Sequence, residues 1–291
     1  MLCNPVLITV YIITYNRSLL LKRAIESVIS QKYCNLDIIV INDNSSDNTE
    51  EILEFYSKKD HRIRYYTNSS NSGACFSRNK AISMAKGFYI TGLDDDDYFL
   101  PDRIENFSNK AWLLGEENII LYSDVLWKTK KGFNKAKINN FFPKKITHQD
   151  LLLFNFIGNQ IFTKTKTLKD NLFDVNMKSW QDLECWYSIL KNSQKHAYKI
   201  DGYSYIQDIS HPHERISTKK IDKIKESYAY FSDKHYLKKE DSILLANHLI
   251  MYGAPVSQSL KSIIYSLKSL KIHLLLIALR NFSFLVFKRG R

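Results

Sequence analysis

Cysteine is scarce in this chain of 291 residues: Cys3, Cys34, Cys75 and Cys185 are too few and too scattered for a disulfide framework. None forms a CxxC pair or a Cys/His pair at zinc-finger spacing, so a structural zinc module is excluded and a reducing, cytoplasmic compartment fits best. Long apolar runs are missing too. No stretch of 18 uninterrupted apolar residues occurs, and the nearest, Ile272 to Phe287, is broken by His273, Arg280 and Asn281, which argues against a full membrane span. The apolar start, Val6 to Ile13, has no basic segment before it and no small-residue cleavage site after it, so it reads as a buried strand and not an export signal. Neither an internal repeat nor a low-complexity tract is visible. Acid is absent after Asp241: residues 242–291 carry Lys261, Lys268, Lys271, Arg280, Lys288, Arg289 and Arg291, seven of the twelve net positive charges. A basic tail on a nearly balanced body points to an anionic surface as partner, membrane or nucleic acid.

The remaining composition is that of a globular protein, with 25% charged and 44% hydrophobic residues and length for one large domain or two modest ones. Over the first hundred residues strand and helix signals alternate. Strands are expected at Leu7–Thr14, Asp37–Asn42, Arg62–Thr67 and Phe88–Leu93. Helices are expected at Ser18–Gln31, from a cap at Ser46 or Asp47 to Tyr56, and at Gly73–Lys86. This order predicts an α/β fold, a mostly parallel sheet with helices on both faces, whose ligands bind at the carboxyl ends of the strands. The polar segments Thr14–Arg17, Asp43–Ser46 and Asp94–Asp97 all fall at those ends. Beyond Pro101 the pattern loosens. A helix is expected at Arg103–Leu114, strands at Ile119–Leu126, Ile157–Thr163 and Tyr198–Ile206, and a helix near Leu183–Leu190. The basic stretch Lys128–Lys145 reads as a mobile loop, and the chain from Ile216 onward as helical.

Four consecutive aspartates, Asp94 to Asp97, are the sharpest chemical feature. Adjacent carboxylates repel unless something neutralises them. In extended backbone Asp94 and Asp96 would point to one side, offering hard oxygen ligands to Mg²⁺ or Mn²⁺. EF-hand spacing is missing, and a solvated acidic turn is the plain alternative.

Several segments in order resemble family 2 glycosyltransferases of the GT-A fold. Tyr15-Asn16-Arg17 is similar to the family's T-Y-N-R opening, and Asn42-Asp43 through Asp47 and Thr49 to its D-D-G-S-x-D-x-T segment. Asn71-Ser72-Gly73 with Ser77-Arg78-Asn79 resembles N-x-G-x-x-x-A-R-N, and Ala85 through Asp97 resembles A-x-G-x-Y-I-x-x-L-D-x-D-D. Phe173-Asp174 and Gln181-Asp182 through Trp186 resemble the later F-D-E…E-D-x-x-L-W block, so the likeness covers roughly residues 5–190.

The resemblance implies roles for these positions. Asp43 would bind the nucleotide base, most often uracil, beside Thr14, Tyr15, Asn16 and Arg17; Arg78 would lie at the diphosphate, with Asp94 and Asp95 also on the donor. Asp94 and Asp96 would form the D-x-D that holds Mn²⁺ or Mg²⁺, with Asp96 the direct ligand and His213 completing the metal shell; Arg215 would pair with phosphate oxygens. The alternative for His211–Ser217 is a polar connector between domains. Asp182 would be the general base that deprotonates an acceptor hydroxyl, with Glu184 as second choice; Asp182 as a plain helix cap is the alternative. Attack on the sugar face opposite the leaving diphosphate would invert the anomeric centre. Three positions depart from the pattern: Ile13 stands where proline is common, Asn42 where aspartate is, and Gln181 replaces the usual glutamate.

Towards the carboxyl end Leu260, Ile263, Ile264, Leu267, Leu270 and Leu274 follow helical spacing, with Lys261, Lys268 and Lys271 in the remainder. Such a basic amphipathic helix over 257–291 suits an anionic membrane surface, with packing on the catalytic domain or a second subunit as the plain alternative. A nucleic-acid partner has no accompanying module motif, so none is expected. The expectation is therefore an inverting, metal-dependent hexosyltransferase, attached peripherally to the inner face of the plasma membrane. The resemblance implies a nucleotide-sugar donor, most often UDP-linked in the family, and as acceptor a glycan or polyprenyl-diphosphate-linked sugar of bacterial polysaccharide or lipopolysaccharide synthesis. Residues 1–105 would form the nucleotide-sugar half, 106–215 the acceptor half and 216–291 a helical extension. Two rivals stand: a sugar nucleotidyltransferase, which would need a glycine-rich loop where Thr14–Arg17 has none, and a non-catalytic scaffold on the same fold.

Overall fold

A computed structural model describes residues 6–135, 143–211 and 221–252, with Ile264 and Leu279 as isolated positions. The expected amphipathic segment 257–291 thus lies outside the described residues apart from those two, and so do His213 and Arg215. The first half alternates as its apolar pattern predicts: β1 (Ile8–Thr14), α1 (Ser18–Ile29), β2 (Leu36–Asn42), α2 (Thr49–Lys59), β3 (Ile63–Thr67), α3 (Ala74–Met84) and β4 (Tyr89–Asp94). After it come β5 (Tyr98–Phe99), α4 (Arg103–Ser108), β6 (Asn118–Thr129), β7 (Gly132–Lys135), β8 (Lys145–Ile146), α5 (His148–Leu151), β9 (Phe162–Lys164) and α6 (Thr165–Asp170). The described chain ends with α7 (Gln181–Ser193), β10 (His196–Asp208), α8 (Ile221–Lys234), α9 (Lys239–Leu245) and a 3-10 segment, Ala246–Tyr252.

The strands form one sheet in the order β3-β2-β1-β4-β9-β6-β10-β5, with β7 beside β6 and β8 beside β10. Neighbours among β1 to β4 are parallel, as are β6 and β10, while short β9 runs antiparallel between β4 and β6. The long strands therefore all present their carboxyl ends at one edge. Every residue of β2 is buried, as an apolar run covered on both faces requires. Val10 and Ile12 point to one core with α1, α2 and α4, whereas Tyr11, Ile39 and Ile41 point to another with α3 and α5 to α9.

Four expectations need correction. The helix from Arg103 stops at Ser108 and is followed by a 3-10 turn at Ala111–Leu113. The strand expected at Ile157–Thr163 is only Phe162–Lys164, because 155–160 is a loop turning at Gly158, whose φ is +79°. Lys128–Lys145 is no featureless loop: β6 continues through Thr129 and folds back into β7, a two-stranded ribbon with Leu126 opposite Lys135. Asp47 does not cap α2, which starts at Thr49; its carboxylate accepts the Ser18 N–H at 2.9 Å and the Thr49 N–H at 3.1 Å, joining the starts of α1 and α2.

Candidate active site

A cleft of 820 Å³ opens at the carboxyl edge of the sheet. Its walls bring together Thr14, Tyr15, Arg17, Asp43, Arg78, Asp94, Asp95, Asp96 and Asp182, nearly every position singled out in the sequence. Register explains the donor side. Thr14 lies opposite Asn42 and Ile13 opposite Asp94, so three strand ends and their loops meet at one level. Asn16 is the exception: it does not line the cleft, and its Oδ1 accepts the Ser46 N–H at 2.7 Å, clamping two of those loops together. Its φ of +52° is a conformation asparagine tolerates better than most residues.

Asp43 is buried and heavily used. One oxygen accepts Asn68 Nδ2 at 2.7 Å and Ser72 N at 2.9 Å, the other Gly73 N at 2.8 Å. It thereby shapes the loop before α3, where Gly73 at φ +87° makes the turn, and keeps acceptor capacity toward the cleft on its second oxygen.

The aspartate run forms a turn, closed by the Asp97 N–H on the Asp94 carbonyl at 3.1 Å, and not the extended segment expected. The turn still gathers its charges: oxygens of Asp94, Asp96 and Asp97 all lie within 4.8 Å of one another. Their partners differ. Asp94 accepts Gln160 Nε2 at 2.9 Å and Arg78 at 3.3 Å on one oxygen, and Asn159 Nδ2 at 3.0 Å on the other. Asp97 is fully buried and accepts the Tyr205 hydroxyl at 2.8 Å and the Asp208 N–H at 2.9 Å. Asp95 pairs with Arg17 at 2.9 Å, and its burial pushes the carboxyl up to about 6 against that pull. Asp96 faces the Arg17 guanidinium, Nη1 at 3.2 Å, and the His211 imidazole, Nε2 at 3.4 Å. This set of carboxylate oxygens is one that could hold a hard divalent ion, and hydrogen bonds already fix Asp94 and Asp97 in place for it.

Across the cleft stands Asp182, in the first turn of α7, its Oδ2 accepting Asn155 Nδ2 at 2.9 Å. Burial pushes this carboxyl above its ordinary value, with the Leu183 N–H and Arg78 pulling the other way. The preceding Gln181 accepts Arg78 Nη1 at 2.9 Å, so Arg78 bridges Asp94 and the start of α7. Burial is the largest single influence on Arg78 and disfavours its charge, yet Asp94, Asp182 and the other acidic groups around it together outweigh burial, and the guanidinium is raised above its ordinary value. Glu184 is removed from consideration as a base. It points into the core, where Ser188, His235 and Lys234 hold it at 2.8, 3.0 and 2.8 Å.

Sequence reasoning missed several residues here. Asn155, Asn159 and Gln160 hold the two acidic centres, and Gly92 makes room for Gln160, since a Cβ there would stand 2.0 Å from Gln160 Oε1. The signal available was three carboxamides within six residues around Gly158. His211, not His213, is the described histidine beside Asp96. The far wall includes Lys223, His248 and Tyr252, and the Trp180 ring lies 5.5 Å from that of His248, so residues beyond 216 close the cleft.

Comparison with known proteins agrees with this geometry. WcaA of Escherichia coli strain K12, named as a colanic acid biosynthesis glycosyl transferase, is 34% identical over 237 residues, covering 80% of this chain and 82% of its own. WfgD of Escherichia coli, named as a UDP-Glc:alpha-D-GlcNAc-diphosphoundecaprenol beta-1,3-glucosyltransferase, is 31% identical over 194 residues, 64% of this chain and 71% of its own. Among solved structures, Staphylococcus aureus TarS 1-349 in complex with UDP-GlcNAc superposes with a TM-score of 0.62 over 98% of this chain and 92% of that one; at 15% identity this shows the shared GT-A fold. Residues 9–160 match the profile of glycosyl transferase family 2. The chain belongs to that family.

Proposed function

We propose that the protein moves a hexose from a UDP-sugar to a hydroxyl of a lipid-linked glycan, with inversion, in the assembly of a bacterial surface polysaccharide. One observation carries the reading: Asp94, Asp95 and Asp96 face the same cleft as Asp182 from a different element, joined to it through Arg78 and Gln181. A leaving diphosphate on one side and a hydroxyl nucleophile on the other need that arrangement. The donor assignment is supported by WfgD, named for UDP-Glc, and by the UDP-GlcNAc complex of TarS; the acceptor assignment is supported by the diphosphoundecaprenol in the name of WfgD.

In this reading Asp43 takes the base through its second oxygen, with Tyr15 beside it. Arg17 releases Asp95 and Asp96 to meet the diphosphate, and Arg78 keeps Asp94 in place. A bound Mn²⁺ or Mg²⁺, held by Asp96 with Asp94 nearby, would neutralise the departing diphosphate as a Lewis acid. Asp182, oriented by Asn155, takes the proton from the acceptor hydroxyl. The donor half is residues 1–105 and the acceptor half 106–215. In the extension 216–291, Lys223, His248 and Tyr252 complete the far wall, and the basic segment 257–291 would rest on the anionic inner face of the plasma membrane.

Calorimetric titration with UDP, GDP and dTDP, each with and without Mn²⁺, on the wild type and Asp96→Ala tests this. Manganese-dependent UDP binding that vanishes in Asp96→Ala is expected. A preference for GDP or dTDP overturns the donor class, and nucleotide binding indifferent to both metal and Asp96 overturns the metal site.

A further inference from the structure

The ribbon made by β6 and β7 has no part in the cleft chemistry, yet it stands at the cleft mouth. β6 runs parallel to β10, and its final residues reach past the sheet at the same carboxyl edge as the aspartate cluster. Two contacts fix its base. The Trp127 indole N–H donates to Gln207 Oε1 at 2.7 Å, and Gln207 lines the cleft; Lys128 pairs with Asp208 at 3.2 Å, whose N–H in turn holds Asp97. Beyond that base the ribbon is exposed. Lys130, Lys131, Gly132, Phe133, Asn134 and Lys135 all face solvent, with Phe133 58% and Trp127 38% exposed. From Val125 to Lys135 there are four lysines and no acid.

Lysines alone would serve to keep a sheet edge from pairing with another chain. An exposed phenylalanine between Lys131 and Lys135, two residues past the turn and opposite Lys128, defeats that purpose, because it offers apolar surface to any neighbour. Cations at the turn and on either side of an exposed aromatic suit an interface that is anionic outside and apolar a few ångströms further in, which is a bilayer surface. We propose that the 127–135 ribbon docks on an anionic lipid bilayer, with Lys130 and Lys131 at the headgroups and Phe133 inserted beneath them. Docking there turns the mouth of the cleft toward the membrane. The inference deepens the membrane part of the proposed function, but it needs neither the 257–291 segment nor the donor assignment.

The test uses the full chain and sedimentation with vesicles of phosphatidylcholine alone or with about one third phosphatidylglycerol. Each lysine near an anionic surface strengthens binding about five-fold, so Lys130→Gln with Lys131→Gln is expected to weaken partitioning onto the anionic vesicles roughly 30-fold. Its thermal midpoint and UDP binding should match the wild type. Phe133→Trp, which leaves the charges intact, should be quenched by lipids brominated on their acyl chains. A Lys261→Gln, Lys268→Gln, Lys271→Gln chain reports on the other segment separately. If that triple variant alone loses binding and Phe133→Trp is unquenched, the ribbon proposal is overturned while the tail reading survives. Loss confined to the ribbon variant upholds the ribbon and discards the tail. Ribbon-dependent binding of a short single-stranded RNA, with Phe133→Trp still unquenched on vesicles, overturns it in favour of a soluble polyanion.

Discussion

Thr14, Asp43 and Asp94 stand at the ends of neighbouring parallel strands, whereas Asn155, Asn159 and Gln160 stand on a loop and Asp182 on the first turn of a helix. On the donor side the spacing of functional groups is set by the sheet: Ile13 opposite Asp94 and Thr14 opposite Asn42 are backbone facts that survive the loss of any one side chain. The opposite wall is held by side chains. Its carboxamides reach the carboxylates at 2.9 to 3.0 Å, and the start of α7 is turned by Trp180 at φ +58°, a costly conformation for so large a residue. Substitutions at those paired strand ends should therefore delete a group and leave the strand register in place. Those on the acceptor side should move their neighbours.

The largest effect expected on the acceptor side is that of Asp182→Asn. A general base contributes typically 10²- to 10⁴-fold, so turnover should fall about 10³-fold while UDP affinity stays at the wild-type value. Steady-state rates of UDP release beside a binding titration check both halves. A loss below ten-fold assigns proton transfer to another group and breaks the division of the cleft into two walls.

Next in size is Glu184→Ala. Glu184 is 1% exposed and ties α7 to α8 through Lys234 and His235, and Lys234 reaches on to Asp174 at 2.6 Å. Removing one partner of a buried pair costs 3–5 kcal/mol, and Lys234 is partly solvated, so about 3 kcal/mol of stability should be lost. Chemical denaturation measures it. Since α8 brings Lys223 to the cleft, turnover should fall with stability while UDP binding persists. A variant as stable as the wild type would mean the far wall is held by apolar packing alone.

The same contrast decides what could be read from the chain beforehand. Strand periodicity and polar residues at strand ends make Asp43, Asp94 and Asp96 legible, because a parallel sheet brings such ends together whatever the loops do, whereas Arg78, inside α3, is legible only through the family resemblance. The second wall has no comparable rule. Nothing in N-F-I-G-N-Q says that Asn155 meets Asp182 while Asn159 and Gln160 meet Asp94, since that follows from where the loop turns at Gly158. The sequence points to His213 for the metal shell, a position outside the described residues, whereas the described His211 stands beside Asp96. The β6–β7 ribbon was read as a loop because lysines and Gly132 mask its alternation, and an edge ribbon has no second buried face to enforce it.

Asn155→Ala is the smallest change and the sharpest one for the comparison. Asn155 touches no donor-side group in its two side-chain hydrogen bonds: Nδ2 donates to Asp182 and Oδ1 accepts the Gly158 N–H at 3.1 Å. A hydrogen bond to a charged group is worth about 1.5–3 kcal/mol, so turnover should drop roughly ten-fold with unchanged UDP affinity. The pH profile carries the discriminating sign. Burial already raises the Asp182 carboxyl, and the Asn155 donor favours its ionised form. Without that donor the pKa rises further, and since the base acts only when deprotonated, the acid limb of turnover should move to higher pH. Asn155→Gln or Asn155→Ser, which can still donate, should recover part of the shift. A ten-fold loss with an unmoved acid limb would mean that Asn155 serves the loop through Gly158 and not the base, and the acceptor wall would then owe its geometry to backbone after all, as the donor wall does.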